Sequence, residues 1–161
     1  MEKQWPLIKH TFNSAFRTSL HYAIASVDEA GDPHLTPIGS LLLLEPGKGI
    51  YFEEFTRQLP RNCRHGGKVC VMAVNSGLWF WLRALIRGRF TTPPALRLYG
   101  RVGELRKATD GEIALWQKRV RKVRHTKGHA LMWRRMRNVR EIVFTHMAQV
   151  NMGEMTRKSW L

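Results

Sequence analysis

Short apolar runs separated by clusters of Gly, Pro and Asp occupy the first third of the chain. The runs cover residues 20–27, 34–44 and 50–55, and the clusters cover residues 28–33 and 45–49. Gly and Asp tolerate the positive φ angles that hairpin loops require. The pattern therefore predicts three consecutive hairpin-linked strands, a meander that is typical of an antiparallel sheet or barrel.

Further elements lie on both sides of this meander. Apolar residues recur at intervals of three and four in about residues 3–16, which predicts a helix that covers an open end of the sheet. The β-branched content of residues 68–74 predicts a fourth strand. A fifth strand is predicted at residues 95–105 and a last one at residues 141–147, with an extension towards Met152.

These elements predict one domain over residues 1–161, of the α+β class, mainly β with flanking helices. The barrel comprises about residues 20–105 and 141–152, and a basic helical segment of about residues 110–139 interrupts it. A chain of 161 residues buries roughly two-thirds of its unfolded surface, so we expect no need for a disulfide or structural metal.

The basic helical segment begins at a capping signal. Thr109 lies three residues before Glu112, which is the spacing of a capping box. One apolar stripe follows at helical spacing: Ile113, Trp116, Val120 and Val123. A second helical piece is predicted at residues 129–139.

Charge is distributed unevenly along the chain. The formal net charge is +15, and residues 57–161 carry all of the positive excess. Residues 118–140 contain ten Lys or Arg and no acidic residue. Such a field attracts polyanions, phosphorylated ligands and acidic membranes alike. Contact with nucleic acid through its phosphates is an alternative function for this segment, although no recognition-helix or zinc-finger signature accompanies it.

Residues 78–90 are strongly apolar with arginines interspersed. One interpretation is an excursion from a strand end that packs against the barrel or against a partner subunit. The other is a segment that dips into a membrane interface, with Trp and Phe inserted and Arg on the lipid head groups.

Cysteine content and hydropathy predict where in the cell the protein is located. Cys63 and Cys70 give no disulfide framework, so we expect reduced thiols. No run reaches the roughly 18 apolar residues of a membrane span. The N-terminus lacks the basic region and apolar core of a secretory signal. We therefore predict a cytoplasmic protein.

Polar and basic groups follow the third predicted strand. Phe55 is followed by Thr56 and Arg57, and Arg61 and Asn62 come shortly after. Hydroxyl, guanidinium and amide groups in one turn suit an anionic ligand, because a guanidinium fork and a hydroxyl both donate to phosphate oxygens.

The ordered set of segments resembles the pyridoxamine 5′-phosphate oxidase-like family. Residues 23–39 read AIASVDEAGDPHLTPIG and follow the first hairpin of that family. Ile50-Tyr51-Phe52 opens the third strand, and Arg61-Asn62 precedes the strand that ends at Val74, in family order. The resemblance covers about residues 15–105 well and implies an FMN-binding split β-barrel.

The resemblance also implies a cofactor site. Thr36, Pro37, Ile38 and Gly39 would flank the isoalloxazine, and Thr36 and Ser40 would offer hydroxyls to its polar edge. The missing side chain of Gly39 would let a flat ring approach the backbone. The phosphate would be bound by the turn that follows Phe55 and contains Thr56, Arg57, Arg61 and Asn62.

The sequence departs from the family pattern in that turn. Gln58 and Leu59 stand where the family commonly has a basic pair, and Glu53 stands where it has a threonine. The proposed phosphate site therefore depends on Arg57 and Arg61.

The resemblance further implies a homodimer with each flavin at the subunit interface, and a flavin-dependent oxidoreductase acting on an unidentified small molecule. Arg97, Arg101 and Trp133 are candidates for groups contributed by the second subunit. Related members of the wider fold bind a deazaflavin or haem instead. The alternative from another functional class is a non-catalytic basic module that contacts nucleic acid or acidic lipid.

Overall fold

The computed structural model describes residues 1–64, 67–134 and 136–156, and within them an antiparallel sheet with flanking helices. The strands are β1 (Tyr22–Val27), β2 (Pro33–Ile38), β3 (Leu42–Leu43), β4 (Lys48–Phe52), β5 (Lys68–Val74), β6 (Ala95–Lys107) and β7 (Asn138–Gln149). The helices are α1 (Trp5–Ser19), α2 (Gln58–Asn62), α3 (Leu78–Arg87), α4 (Asp110–Val120) and α5 (Lys127–Met132), with 3₁₀ turns at Glu2–Gln4, Arg121–Val123 and Gly153–Thr156.

The sheet closes because its two edges are neighbours in the chain. Its strand order is β2-β1-β5-β6-β7-β4-β3, with every pair antiparallel. Residues 39–41 alone connect the edge strands β2 and β3, and a chain advances by at most about 3.6 Å per residue. The sheet must therefore curl into a barrel, which confirms the predicted fold class.

The single strand predicted at residues 34–44 is two strands. β2 ends at Ile38 and β3 begins at Leu42, because the chain crosses from one edge to the other between them. Ser40 secures the crossing: its Oγ accepts from the Phe52 amide at 3.1 Å and donates to the Phe52 carbonyl at 3.0 Å. The apolar pattern hides the break, since Leu41 is buried on the crossing itself.

Other strand boundaries also shift from the predicted ones. β4 covers Lys48–Phe52 instead of residues 50–55, and β6 continues beyond residue 105 to Lys107. β7 begins at Asn138, where residues 129–139 were predicted to be helical. That helical prediction is wrong at residues 133–134 and 136–139, because α5 ends at Met132 and Val139 pairs with Phe52 of β4. Residue 135 lies outside the described residues.

The first apolar core fills the barrel. The predicted N-terminal helix is confirmed as α1, and its buried Trp5, Ile8 and Phe12 enter this core together with Ile24 and Leu98 from the sheet. α1 ends where Leu20 takes a left-handed conformation with φ 61°. The apolar side of the helix therefore packs against β1, β5 and β6 of the sheet.

A second core lies where α4 packs on the sheet. The capping box is present, with the Glu112 amide donating to Thr109 and the Thr109 amide donating to the Glu112 carboxylate. Trp116 is fully buried. The remaining buried members of this core are Leu42, Ile50, Phe52, Val120, Met136 and Val139.

One arginine of the basic segment has a structural role. The Arg119 guanidinium stacks on the Phe16 ring at 3.9 Å and donates to the Leu41 carbonyl at 3.1 Å. It also donates to the Tyr22 hydroxyl. Arg119 therefore ties α4 to α1, to β1 and to the crossing between the sheet edges.

The strand-end excursion predicted near residue 78 is a helix, α3. Glycines flank it, with Gly77 at its N-cap and Gly88 at its C-cap in a left-handed conformation with φ 65°. Trp81 donates through its indole N–H to the Asn75 carbonyl at 2.7 Å. No helix in the described residues is both long and apolar enough to cross a membrane.

Candidate functional site

The turn after β4 is fixed by the buried residues that follow it. Leu59 in α2 is fully buried, and Cys63, just after α2, is nearly so; both belong to the barrel core. α2 lies against β1 and β2. The packing therefore brings the two predicted halves of the site, the second strand and the basic turn, to neighbouring positions.

Asn62 is held by a chain of polar contacts. Its Nδ2 donates to Ser26 Oγ in β1 at 2.9 Å, and its Oδ1 accepts from Gln58 Nε2 at 3.1 Å. Sequence reasoning treated Gln58 as a lost basic residue. The structure shows that Gln58 instead orients Asn62.

Arg57 and Arg61 have exposed guanidinium groups. Within the described part of the chain, neither side chain makes a hydrogen bond or an ion pair. Thr56 Oγ1 is shielded from solvent and has no hydrogen-bond partner among the described residues. An unsatisfied buried hydroxyl costs about 1–3 kcal/mol, so a ligand acceptor at this position would relieve a real deficit.

An open cleft of about 700 Å³ borders this turn. Residues 27–30 form one wall, and Gln58, Arg61, Asn62 and Arg64 line the other. The wall opposite the arginines is acidic, with Asp28 and Glu29. A hydrogen bond to His34 and amide donors from Asp32 and Ala30 hold the pKa of Asp28 below its usual value, so it is ionised at neutral pH. The positive potential is therefore concentrated on the α2 side.

Glu53 does not place a free negative charge beside Thr56. Its carboxylate accepts from Arg140 Nε at 2.7 Å and from the Tyr51 hydroxyl at 3.0 Å. Arg140 also donates to the Gly103 carbonyl at 3.1 Å. Burial raises the pKa of Tyr51, and the Glu53 carboxylate raises it further. The negative charge of Glu53 is therefore neutralised by a buried arginine from β7.

The residues predicted on the second strand divide between two faces. Thr36 lies opposite Ile24 and Pro37 opposite Ala23, and side chains alternate along a strand. Ile24 is in the barrel core, so Thr36 and Ile38 face inward and Pro37 faces outward. Ile38 is itself buried in that core, whereas Thr36 is half-buried and Pro37 exposed.

Gly39 and Ser40 have structural partners within the chain. A Cβ at Gly39 would lie 3.0 Å from the Leu20 carbonyl oxygen, which explains the glycine without a ligand. The Ser40 hydroxyl is paired with both backbone polar groups of Phe52. Phe55, by contrast, is 62% exposed.

Sequence reasoning missed a shared outer face of the sheet. Ala23 and Ala25 of β1 lie beside Met72 and Cys70 of β5, and Leu35 of β2 lies opposite Ala25. None of these five residues belongs to either apolar core. We call this set the outer sheet face. Period-two alternation along β1 and β5 was the signal that could have found it.

The three candidates for contribution to a second subunit lie in different surroundings. Arg97 lies opposite Met72, next to the outer sheet face. On the same side of β6, Tyr99 stacks on His146 with ring centroids 4.5 Å apart. Arg101 lies opposite Lys68. Trp133 instead packs edge-on against Trp116 of the second core, with centroids 6.0 Å apart.

Comparison with solved structures finds the same architecture repeatedly. An FMN-binding protein from Syntrophomonas wolfei matches with a TM-score of 0.60 at 11% identity, over 92% of this chain and 89% of that one. HupZ of Group A Streptococcus matches with a TM-score of 0.59 at 17% identity, over 90% and 94%. A proposed pyridoxamine 5′-phosphate oxidase from Lactobacillus delbrueckii matches with a TM-score of 0.52 at 18% identity, over 92% of both chains.

Sequence comparison adds nothing to this result. No family model matches the chain, and no curated protein matches it. At identities below 20%, the structural matches establish the fold. The protein therefore has the split β-barrel fold of FMN-binding and pyridoxamine 5′-phosphate oxidase-like proteins.

Proposed function

We propose that the protein binds FMN and acts as a flavin-dependent oxidoreductase on a small molecule. The observation that carries the proposal is the stretch after β4, where Thr56 has an unsatisfied hydroxyl and the guanidinium groups of Arg57 and Arg61 are unpaired among the described residues. Arg61 lines the open cleft. The fold supports it, since an FMN-binding protein has the same architecture.

The residues present fit a flavin phosphate. Arg57 and Arg61 would bind its oxygens by charge-assisted hydrogen bonds, and Thr56 would donate its hydroxyl proton. Gln58 and Ser26 hold the Asn62 amide at the cleft wall. Because Glu53 is neutralised by Arg140, it does not oppose an anion there.

The ring system of the flavin would lie along the second strand. Thr36 is on the inward side of that strand, and its hydroxyl has no hydrogen-bond partner among the described residues. Pro37 is on the opposite, outward side. FMN, when bound, would supply the hydride or electron transfer, so the protein needs little acid–base apparatus. The contribution of the chain is to bind and orient the cofactor.

The outer sheet face supports the homodimer. It presents small and apolar side chains from three adjacent strands, including Leu35, which is 69% exposed. A second copy packed on this face would cover these side chains and would extend the site beyond the β1–β2 turn, where Val27 borders the cleft. The dimer and the cytoplasmic location stay predictions.

Two other cofactors occur on this fold. HutZ of Vibrio cholerae, a haem storage protein, matches with a TM-score of 0.50 at 12% identity, and an F420 reductase matches with 0.54 at 14% identity. Haem and a deazaflavin are therefore the alternatives to FMN. The unpaired arginines favour a phosphorylated flavin or deazaflavin.

A non-catalytic basic module that contacts nucleic acid or acidic lipid is the alternative from another class. Most of the described residues between 118 and 140 are exposed, which favours contact with a polyanion. Arg119 and Arg140 are nevertheless committed to internal contacts. Part of the segment therefore stabilises the fold instead of facing a partner.

Identification of the bound chromophore tests the proposal. We expect the purified protein to be yellow and to release FMN on denaturation, identified by its absorption and mass. Release of haem or a deazaflavin would replace FMN by that cofactor. Colourless protein that also fails to take up added FMN would exclude the proposal.

A further inference from the structure

Helix α3 presents apolar side chains both towards the rest of the protein and towards solvent. Its inner side packs well: Ala84 is buried, Phe80 stacks on Phe90 with centroids 5.4 Å apart, and Trp81 meets the same ring edge-on at 5.1 Å. A surface helix normally presents polar residues on the opposite side. Here that side is apolar.

The exposed side of α3 holds five large apolar residues. Leu78, Trp79 and Ile86 are each more than three-quarters exposed. The other two members are Leu82 and Leu85. We call these five residues the α3 apolar face. A contiguous patch of this kind on one helix marks a surface that is covered in the functional state.

Arginines flank the α3 apolar face. Arg83 and Arg87 lie along one side of the helix, and with Arg89, Trp79 and Thr91 they line a recess of about 280 Å³. None of the three guanidinium groups makes a hydrogen bond or an ion pair within the described residues. The sequence has no acidic residue from 55 to 103. The acidic residue Glu154 comes near this region through the chain, because the next residue, Met155, accepts a hydrogen bond from the Phe90 amide through its carbonyl. The flank therefore favours an anionic partner.

We propose that α3 is a membrane-interface anchor that binds anionic phospholipid bilayers. A helix of ten residues is about 15 Å long, too short to span a bilayer but suited to lying in its interface. The five apolar side chains enter the acyl boundary, and Arg83 and Arg87 remain at the depth of the phosphate groups.

A second copy of the chain is a poorer occupant. Two α3 helices paired about a two-fold axis would bring Arg83 and Arg87 of both copies into one interface, and residues 55–103 contain no acidic residue to offset them. A single ten-residue helix also supplies less area than the roughly 800 Å² per partner of a stable interface. A bilayer supplies both an apolar layer and an anionic surface.

Vesicle co-sedimentation at physiological ionic strength tests the proposal. The probes are extruded vesicles of phosphatidylcholine alone and of phosphatidylcholine with about a quarter phosphatidylglycerol. We expect the full chain to pellet with the anionic vesicles. The Trp79→Ser/Ile86→Ser variant should bind them about tenfold more weakly or worse, because it removes two inserted apolar side chains.

Matched controls separate the anchor from diffuse charge attraction. Leu131→Ser removes an apolar side chain that is 81% exposed on α5 and should not change binding. Arg83→Gln/Arg87→Gln should weaken binding to anionic vesicles more than Arg121→Gln/Lys122→Gln, which removes the same charge from the basic segment. Far-UV circular dichroism and FMN content check that each variant is folded.

Three outcomes would overturn the proposal. The full chain could fail to pellet with anionic vesicles, or the α3 variants could bind as tightly as their matched controls. If the unaltered chain binds no vesicles and an α3 variant changes its oligomeric state, the α3 apolar face binds a second copy of the chain instead. Loss of vesicle binding with FMN content intact separates this proposal from the cofactor proposal.

Discussion

The Arg57→Ala/Arg61→Ala variant is expected to lose FMN during purification, with affinity reduced about 100-fold or more. Both guanidinium groups are exposed and unpaired in the described structure, so their removal breaks no internal contact. What the variant loses is the positive charge and the forked donors that a phosphate requires. The measurement is the flavin-to-protein absorbance ratio, followed by titration of the apo-protein with FMN.

A charge-matched control distinguishes direct binding from long-range attraction. Arg121→Ala/Lys122→Ala also removes two positive charges, from exposed positions in the basic segment. It is expected to retain FMN at the level of the unaltered protein. Equal retention by both variants would move the phosphate site away from the turn after β4.

The Arg140→Met variant is expected to lower the free energy of unfolding by about 3–5 kcal/mol. The Glu53 and Arg140 side chains are only 6% and 10% exposed, and their atoms are 2.7 Å apart. Removal of Arg140 leaves a buried carboxylate whose remaining side-chain donor, among the described residues, is the Tyr51 hydroxyl. Denaturant unfolding followed by circular dichroism measures the loss.

The partner substitutions make this prediction specific. Glu53→Gln alone should also destabilise, and the double variant should lose less stability than the sum of the two, with a coupling of about 1–3 kcal/mol. Lys48→Met, which breaks the exposed pair with Glu45, should leave the unfolding midpoint nearly unchanged. Additive losses from Glu53 and Arg140 would show that the pair does not act as a unit.

Local signals in the sequence predicted the elements that form locally. The helical spacing near Trp5, the β-branched run at residues 68–74 and the Thr109–Glu112 capping box all depend on neighbours within a few residues, and each appears in the structure. The polar residues after the third predicted strand were recognised by their chemistry, and α2 does place Arg61 and Asn62 on one cleft. Their role towards a cofactor stays a prediction.

Features that depend on contacts between distant parts of the chain could not be predicted from the sequence. The break at residues 39–41 arises from barrel closure, which joins the two edges of the finished sheet. The Glu53–Arg140 pair connects residues 87 positions apart. Gly39 is explained by the approach of the Leu20 carbonyl, which no local pattern reveals. In α3, the mixture of Trp, Leu and Arg has helical periodicity, but its apolar side points away from the barrel instead of into it.

The affinities of the apo-protein for FMN and for riboflavin show whether the protein binds the flavin phosphate. Titration of the apo-protein, followed by quenching of flavin fluorescence, isolates the contribution of the phosphate, because the two ligands share the ring system. We expect saturable FMN binding at one flavin per chain and riboflavin binding weaker by about 100-fold. Equal affinities for the two flavins, or no saturable binding of either, would contradict this expectation.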